Sequence, residues 1–135
     1  MITPIEHART KEAANKYKVE PFVISADVYG AQNLSGSGGW TWYTGSSSWY
    51  YLAGIEYILG LKINQNIMTV NPCIPKEWKE YTIKFKFGES IYNIKVTNPN
   101  KKSTGVDKVL INGEEHENKI LLDKSGKIFN IEINM

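Results

Sequence analysis

The 135 residues carry 16 Lys+Arg against 14 Asp+Glu, a formal charge of +2, with 41% apolar content. Apolar content at this level supports a packed core and excludes global disorder. Arg9 is the single arginine and no basic stripe is present, which argues against a nucleic-acid binder.

Cys73 is the only cysteine, so an internal disulfide framework is impossible. With no signal-peptide pattern, this favours a reducing, cytoplasmic setting. Apolar runs are too short to span a bilayer. Cys73 lies between Pro72 and Ile74 without a neighbouring His, and is expected to be a buried structural thiol.

In chain order, Thr3-Pro4-Ile5-Glu6 has the form of a capping box and opens a helix from about Pro4 to Asn15. Glu20-Pro21 starts a second, short apolar helix through Phe22, Val23 and Ala26, with Gly30 as its stop. A third runs from Ser47 to Leu59, apolar around most of its circumference and charged only at Glu56, the pattern of a buried helix ended by Gly60.

Beyond Leu61 the period becomes two. Tyr81, Ile83, Phe85 and Phe87 alternate with Thr82, Lys84 and Lys86, which predicts a half-buried antiparallel strand. Gly88-Glu89 turns the chain and 91–96 runs back. Val109-Leu110-Ile111 enters Asn112-Gly113, the preferred pair for a two-residue hairpin. Strands at 120–122 and 128–133 flank a turn at Ser125-Gly126. Short strands spaced by turn signals predict a β-sandwich or jelly-roll module.

The expected class is therefore α+β, a helical segment over 1–60 followed by an all-β domain over 61–135. Three such helices have too little to pack against in one small sandwich, so the first half reads as part of something larger.

Residues 40–51 hold three tryptophans and three tyrosines, too many rings to leave in water, so this stretch is expected to be ordered. The rings either cap a helical core or contact a ligand; Trp49 is assigned to the buried helix. Thr44-Gly45-Ser46 falls just before a helix start. Backbone N–H groups, the positive end of the helix dipole and two hydroxyls converge there on any anion. An ordinary N-cap is the alternative. Glu20 and Asp27, seven apart, would sit two helical turns from each other and face one cleft as sugar ligands, or act as a cap and a satisfied helix acid. His7 is placed on an exposed helix face. His7 and His116 lack partners at metal spacing, so no metal site is expected.

Several segments resemble consecutive motifs of glycoside hydrolase family 94: residues 4–10, 17–23, Ala26-Asp27-Val28-Tyr29, 38–46 and Asn71-Pro72-Cys73-Ile74-Pro75. That family holds cellobiose and chitobiose phosphorylases, oligoglucan phosphorylases and the phosphorylase-like region of cyclic β-1,2-glucan synthases. The resemblance implies the last helices of an (α/α)6 catalytic barrel followed by a β-sandwich. It also implies reversible phosphorolysis of a β-glucoside with inversion. A general acid protonates the glycosidic oxygen while inorganic phosphate attacks the opposite face of the sugar.

By the same resemblance Thr44 and Gly45 hold phosphate; Ser46 joins them from its place at the helix start, and Trp42 and Tyr43 of the aromatic stretch, with Glu20 and Asp27, are the residues expected to border the sugar. The Ala-Asp-Val-Tyr string is similar to the β-1,2-glucan branch, since cellobiose-specific members have Gln where Ala26 stands. The family's general acid, its phosphate Arg and its phosphate His map to no residue of this chain, so no catalytic residue is assigned. The chain is expected to be inactive alone, to use no cofactor beyond phosphate as co-substrate, and to pair with the rest of a barrel or with itself. A carbohydrate-binding or structural β-sandwich module is the alternative.

Overall fold

A computed structural model describes residues 4–20, 23–41 and 44–135. The chain divides into two compact units, Met1–Tyr51 and Leu52–Met135.

In the first unit the expected opening helix is two. Helix α1 covers Pro4–His7 and α2 covers Lys11–Tyr17. The break has a cause in Thr10: its backbone is extended and its hydroxyl accepts the Ala13 N–H at 3.1 Å, an N-cap that restarts the helix. Thr3, the cap read from sequence, lies outside the described residues. Lys18 ends α2 in the left-handed region and donates its N–H to the Ala14 carbonyl. His7 is half-buried and stacks on Tyr17 at 4.3 Å, so it is not the exposed residue expected.

The helix expected after Glu20 does not form across Val23–Gly30. Strand β1, Asp27–Val28, pairs antiparallel with β2, Gly38–Gly39. Pro21 and Phe22 lie outside the described residues. The glycines decide the outcome. A Cβ on Gly38 would strike Val19 and the Tyr17 ring, and one on Gly39 would strike Asp27 and Tyr29. Two residues without side chains let the strand press against this cluster. Tyr17 is 2% exposed, with its hydroxyl 3.0 Å from Ser25 Oγ.

Helix α3 covers Thr44–Leu52 and passes into π-helical turns at Ala53–Ile58. It starts three residues before the expected Ser47, and its rings are not buried: Trp49 is 77% and Tyr51 69% exposed. An apolar circumference identifies surface that calls for a partner, and only neighbouring elements determine whether it is covered.

The second unit is a two-sheet sandwich around one core. Strands β5 (Glu80–Phe87), β6 (Ser90–Thr97), β7 (Lys108–Ile111), β8 (Glu114–His116) and β10 (Ile128–Asn134) form a sheet in the order β5-β6-β10-β7-β8. Strands β3 (Leu61–Asn64), β4 (Ile67–Val70) and β9 (Ile120–Leu121) form the other. Tyr92, Ile94, Val96, Ile131 and Ile133 from the first sheet meet Leu61, Met68, Val70 and Ile120 from the second.

Alternation places Tyr81, Ile83, Phe85 and Phe87 toward this core and Lys84 and Lys86 outside, as expected. The Asn112-Gly113 turn has φ of 51° and 89°, the double left-handed geometry that a tight hairpin demands. Strands β6 and β10 pair in parallel from Ile128↔Ile91 to Asn134↔Thr97.

Cys73 is exposed, contrary to expectation: the extended segment turns Pro72 and Ile74 inward and leaves the alternate residue outside. No helix among the described residues is long and apolar enough to cross a membrane.

Candidate functional site

The candidate anion site rests on the first turn of α3. Thr44, Gly45 and Ser46 are its first three residues, inside the helix rather than before it. An α-helix leaves its first four N–H groups without carbonyl partners from its own turns. Nine residues of aligned peptide dipoles put a partial positive charge at this end. No acidic residue occupies the first turn to neutralise it. Backbone donors, hydroxyl-bearing residues and a glycine thus coincide at an electropositive terminus, and Ser46 is exposed. Such an end can hold a phosphate oxygen.

The expected sugar ligands divide. Asp27 lies on β1 directly opposite Gly39, exposed, and the Ala26 N–H reaches the Trp40 carbonyl at 2.9 Å. This ladder ties the Asp27 strand to the segment that enters α3. Glu20 is half-buried in the connection after α2, where its carbonyl accepts the Val23 N–H at 3.3 Å. The helical spacing that was to align Glu20 with Asp27 is absent, because Asp27 is on a strand. Trp42 and Tyr43 lie outside the described residues.

Two residues that the sequence reading quoted without assigning them to the sugar, Tyr29 and Trp40, join this region. The Tyr29 hydroxyl lies with the Asp27 carboxylate over Gly39, each within contact range of the space a Cβ there would fill. Trp40 adopts a left-handed backbone at φ 50° and is 71% exposed. The Gly38-Gly39 pair was the available signal, since bulky neighbours pass close only where a side chain is missing. Among the described residues no three His, Cys, Asp or Glu side chains gather as a metal site would demand.

Within the second unit, the end of the π-helical turns is tied to the sandwich. The Ile58 carbonyl accepts the Cys73 N–H at 2.9 Å, the Leu59 carbonyl accepts the Tyr81 hydroxyl at 2.7 Å, and the Gly60 carbonyl accepts the Asn71 N–H at 2.9 Å. These are the carbonyls that a helix end leaves without partners. The Asn71-Pro72-Cys73 segment therefore serves as a clamp. Gly60, at φ 78°, must lack a side chain because the Asn71 carbonyl and the Pro72 nitrogen occupy that volume.

Burial raises the Tyr81 hydroxyl above its ordinary value, keeping it a neutral donor. Asp123, in the turn before β10, is held well below the usual carboxylate range, first by the hydrogen bond from Lys127 and then by those from Ser125. The same bond from Lys127 to Asp123 raises the lysine. Both effects stabilise a turn and involve no ligand.

Comparison with known sequences decides the family. Residues 1–60 match the glycosyl hydrolase 94 superfamily catalytic domain, and residues 61–117 match the C-terminal domain of glycosyl hydrolase family 65. The cyclic beta-(1,2)-glucan synthase NdvB of Rhizobium meliloti (strain 1021) is 40% identical over 106 residues, 78% of this chain and 4% of that protein. The chain belongs to glycoside hydrolase family 94.

Other family 94 relatives include the N,N'-diacetylchitobiose phosphorylase of Vibrio furnissii, 35% identical over 75% of this chain and 12% of its own length. The 3-O-beta-D-glucopyranosyl-beta-D-glucuronide phosphorylase of Paenibacillus borealis is 33% identical over 68% of this chain and 12% of its own length. The chain thus spans about one-eighth of the phosphorylases and a smaller share of the synthase.

Proposed function

We propose that this chain is the C-terminal segment of a carbohydrate phosphorylase or glycosyltransferase that acts on β-glucosides with inorganic phosphate. The observation that carries the proposal is the first turn of α3: hydroxyl-bearing residues and a glycine at an electropositive helix terminus, with no acidic residue within that turn. Thr44, Gly45 and Ser46 take oxygens of the phosphate nucleophile, and positioning of that anion in line with the scissile bond is their contribution to rate. Trp42, Tyr43, Glu20 and Asp27 border the sugar, with the glucan carrying the β-1,2 or cellobiose-like linkage.

In this reading residues 1–60 supply the last helices of an (α/α)6 barrel. The exposed rings of α3 are the surface on which the rest of that barrel packs, or on which two copies associate in its place. The setting is the cytoplasm, and phosphate is co-substrate without any further cofactor.

The 135 residues alone are expected to be inactive, because the general acid has no counterpart among them. An assay of phosphate release from α-glucose 1-phosphate, with glucose or sophorose as acceptor, should give no turnover. In a complete family 94 enzyme, alanine at the position equivalent to Thr44 should remove one hydrogen bond to a charged oxygen. The phosphate KM should rise roughly tenfold to a hundredfold. Unchanged phosphate dependence in that variant would overturn the anion assignment.

A further inference from the structure

The sandwich carries a groove of about 700 Å³ between the segment entering β5 and the turn leaving β6. That volume suits a small ligand. Lys76, Lys79 and Lys101 line it. Six ion pairs form among the described residues, and none includes any of these three lysines. With Glu80 paired to Lys95, the three ammonium groups stand against one unpaired carboxylate, Glu77, and the balance is a net positive field that an anion relieves.

The rest of the lining is chemically mixed. Pro99 and the lysine stems add apolar surface to the lining. Glu80 also lines the groove but is bound by Lys95 at 3.1 Å, while Glu77 is in no ion pair and offers oxygens to hydroxyl donors. Cations, one available carboxylate and apolar lining together match a hydroxylated ring that bears an acidic group.

The groove is also preformed. Asn98, 2% exposed, joins its two walls: Nδ2 donates to the Trp78 carbonyl at 3.2 Å and to the Lys102 carbonyl at 2.8 Å. Its Oδ1 accepts the Lys102 N–H at 2.8 Å, and its own N–H reaches the Lys79 carbonyl at 2.7 Å. Lys101 is held at φ 52° in the same turn. Walls fixed in this way lose little freedom when a ligand arrives.

We infer that this groove binds an anionic saccharide, a sugar ring with one phosphate or carboxylate. The anion sits among Lys76, Lys79 and Lys101, the ring lies against Pro99 and the lysine stems, and Glu77 accepts from a ring hydroxyl.

The test is amide NMR of the 15N-labelled 135-residue chain, titrated separately with α-glucose 1-phosphate, glucuronate, glucose and inorganic phosphate. Saturable shifts at Lys79, Asn98 and Lys101 are expected with glucose 1-phosphate or glucuronate. The tighter of the two identifies the acidic group, and neutral glucose should leave these amides still. Salt should weaken the binding. The triple variant Lys76→Met, Lys79→Met, Lys101→Met keeps the stems and should weaken it by about tenfold or more. Absence of saturable shifts with both acidic sugars, or shifts unaltered in the triple variant, would overturn the proposal. So would inorganic phosphate binding as tightly as the sugar phosphate, which would mean an adventitious ion only. All readouts lie in the sandwich, so the result is independent of the assignment at Thr44.

Discussion

At the scale of single residues, side chains that do no chemistry hold together the segments that bear on it. Asn118 takes the place of a missing strand beside Val70: its Oδ1 accepts the Val70 N–H at 3.0 Å and its Nδ2 donates to the Val70 carbonyl at 2.9 Å. Asn98 does comparable work between the walls of the lysine groove. Asn98→Ala leaves buried backbone groups without partners and is expected to cost about 2–4 kcal/mol, measured by urea denaturation. Tyr81 is a residue whose ionisation lowers stability at high pH. Its folded pKa is raised above the unfolded value, so the folded chain holds a proton that the unfolded chain releases. Its contribution is intact below about pH 10 and falls as pH rises beyond that. Tyr81→Phe should flatten this alkaline limb and cost about 1 kcal/mol at neutral pH through the lost bond to Leu59. Asp123 acts in the opposite direction. Its depressed pKa means stability present above about pH 4 and lost as pH falls below it, so Asp123→Asn should flatten the acid limb of a pH–melting curve.

At the scale of elements, helix boundaries follow capping. Thr10 restarts a helix that a continuous reading of 4–15 had joined, and Thr10→Ala is expected to cost about 1 kcal/mol, read as faster amide exchange within α2. The junction at Gly60 is less forgiving. An added Cβ would both require a left-handed backbone and collide with the Asn71 carbonyl. Gly60→Ala is therefore expected to cost about 2–4 kcal/mol and to lower the urea midpoint, with loss of the Cys73-to-Ile58 hydrogen bond. Strands β5 and β6 and the Asn112-Gly113 hairpin follow their sequence pattern closely, since alternation and turn chemistry agree there. Strands β3 and β4 were missed. Their apolar residues sit in short runs of four, too brief for a period to emerge.

At the scale of the molecule, the two units differ in how much each buries. The sandwich places thirteen buried apolar residues in one cluster, whereas Tyr17 and Val23 are the buried apolar residues among those described in the first unit. Hydrogen exchange is expected to be slowest in β6 and β10, each flanked by strands on both sides, and fast in β1 and β2. Exposed Trp49 and Tyr51 predict association with a partner surface or with a second copy, visible as a concentration-dependent shift in size-exclusion chromatography. Replacing both with serine should abolish that shift.

The change from helical to strand character near residue 60, the hairpin turn, the alternation of β5 and β6, and the motifs that point to family 94 can all be read along the chain. These are local signals, each contained in a few neighbouring residues. Three-dimensional packing is what puts Asp27 on a strand across from Gly39, runs β6 and β10 in parallel, and makes Asn71-Pro72-Cys73 close a helix end. Those outcomes depend on residues far apart in the chain competing for the same space and the same hydrogen-bond donors. No window along the sequence contains that competition.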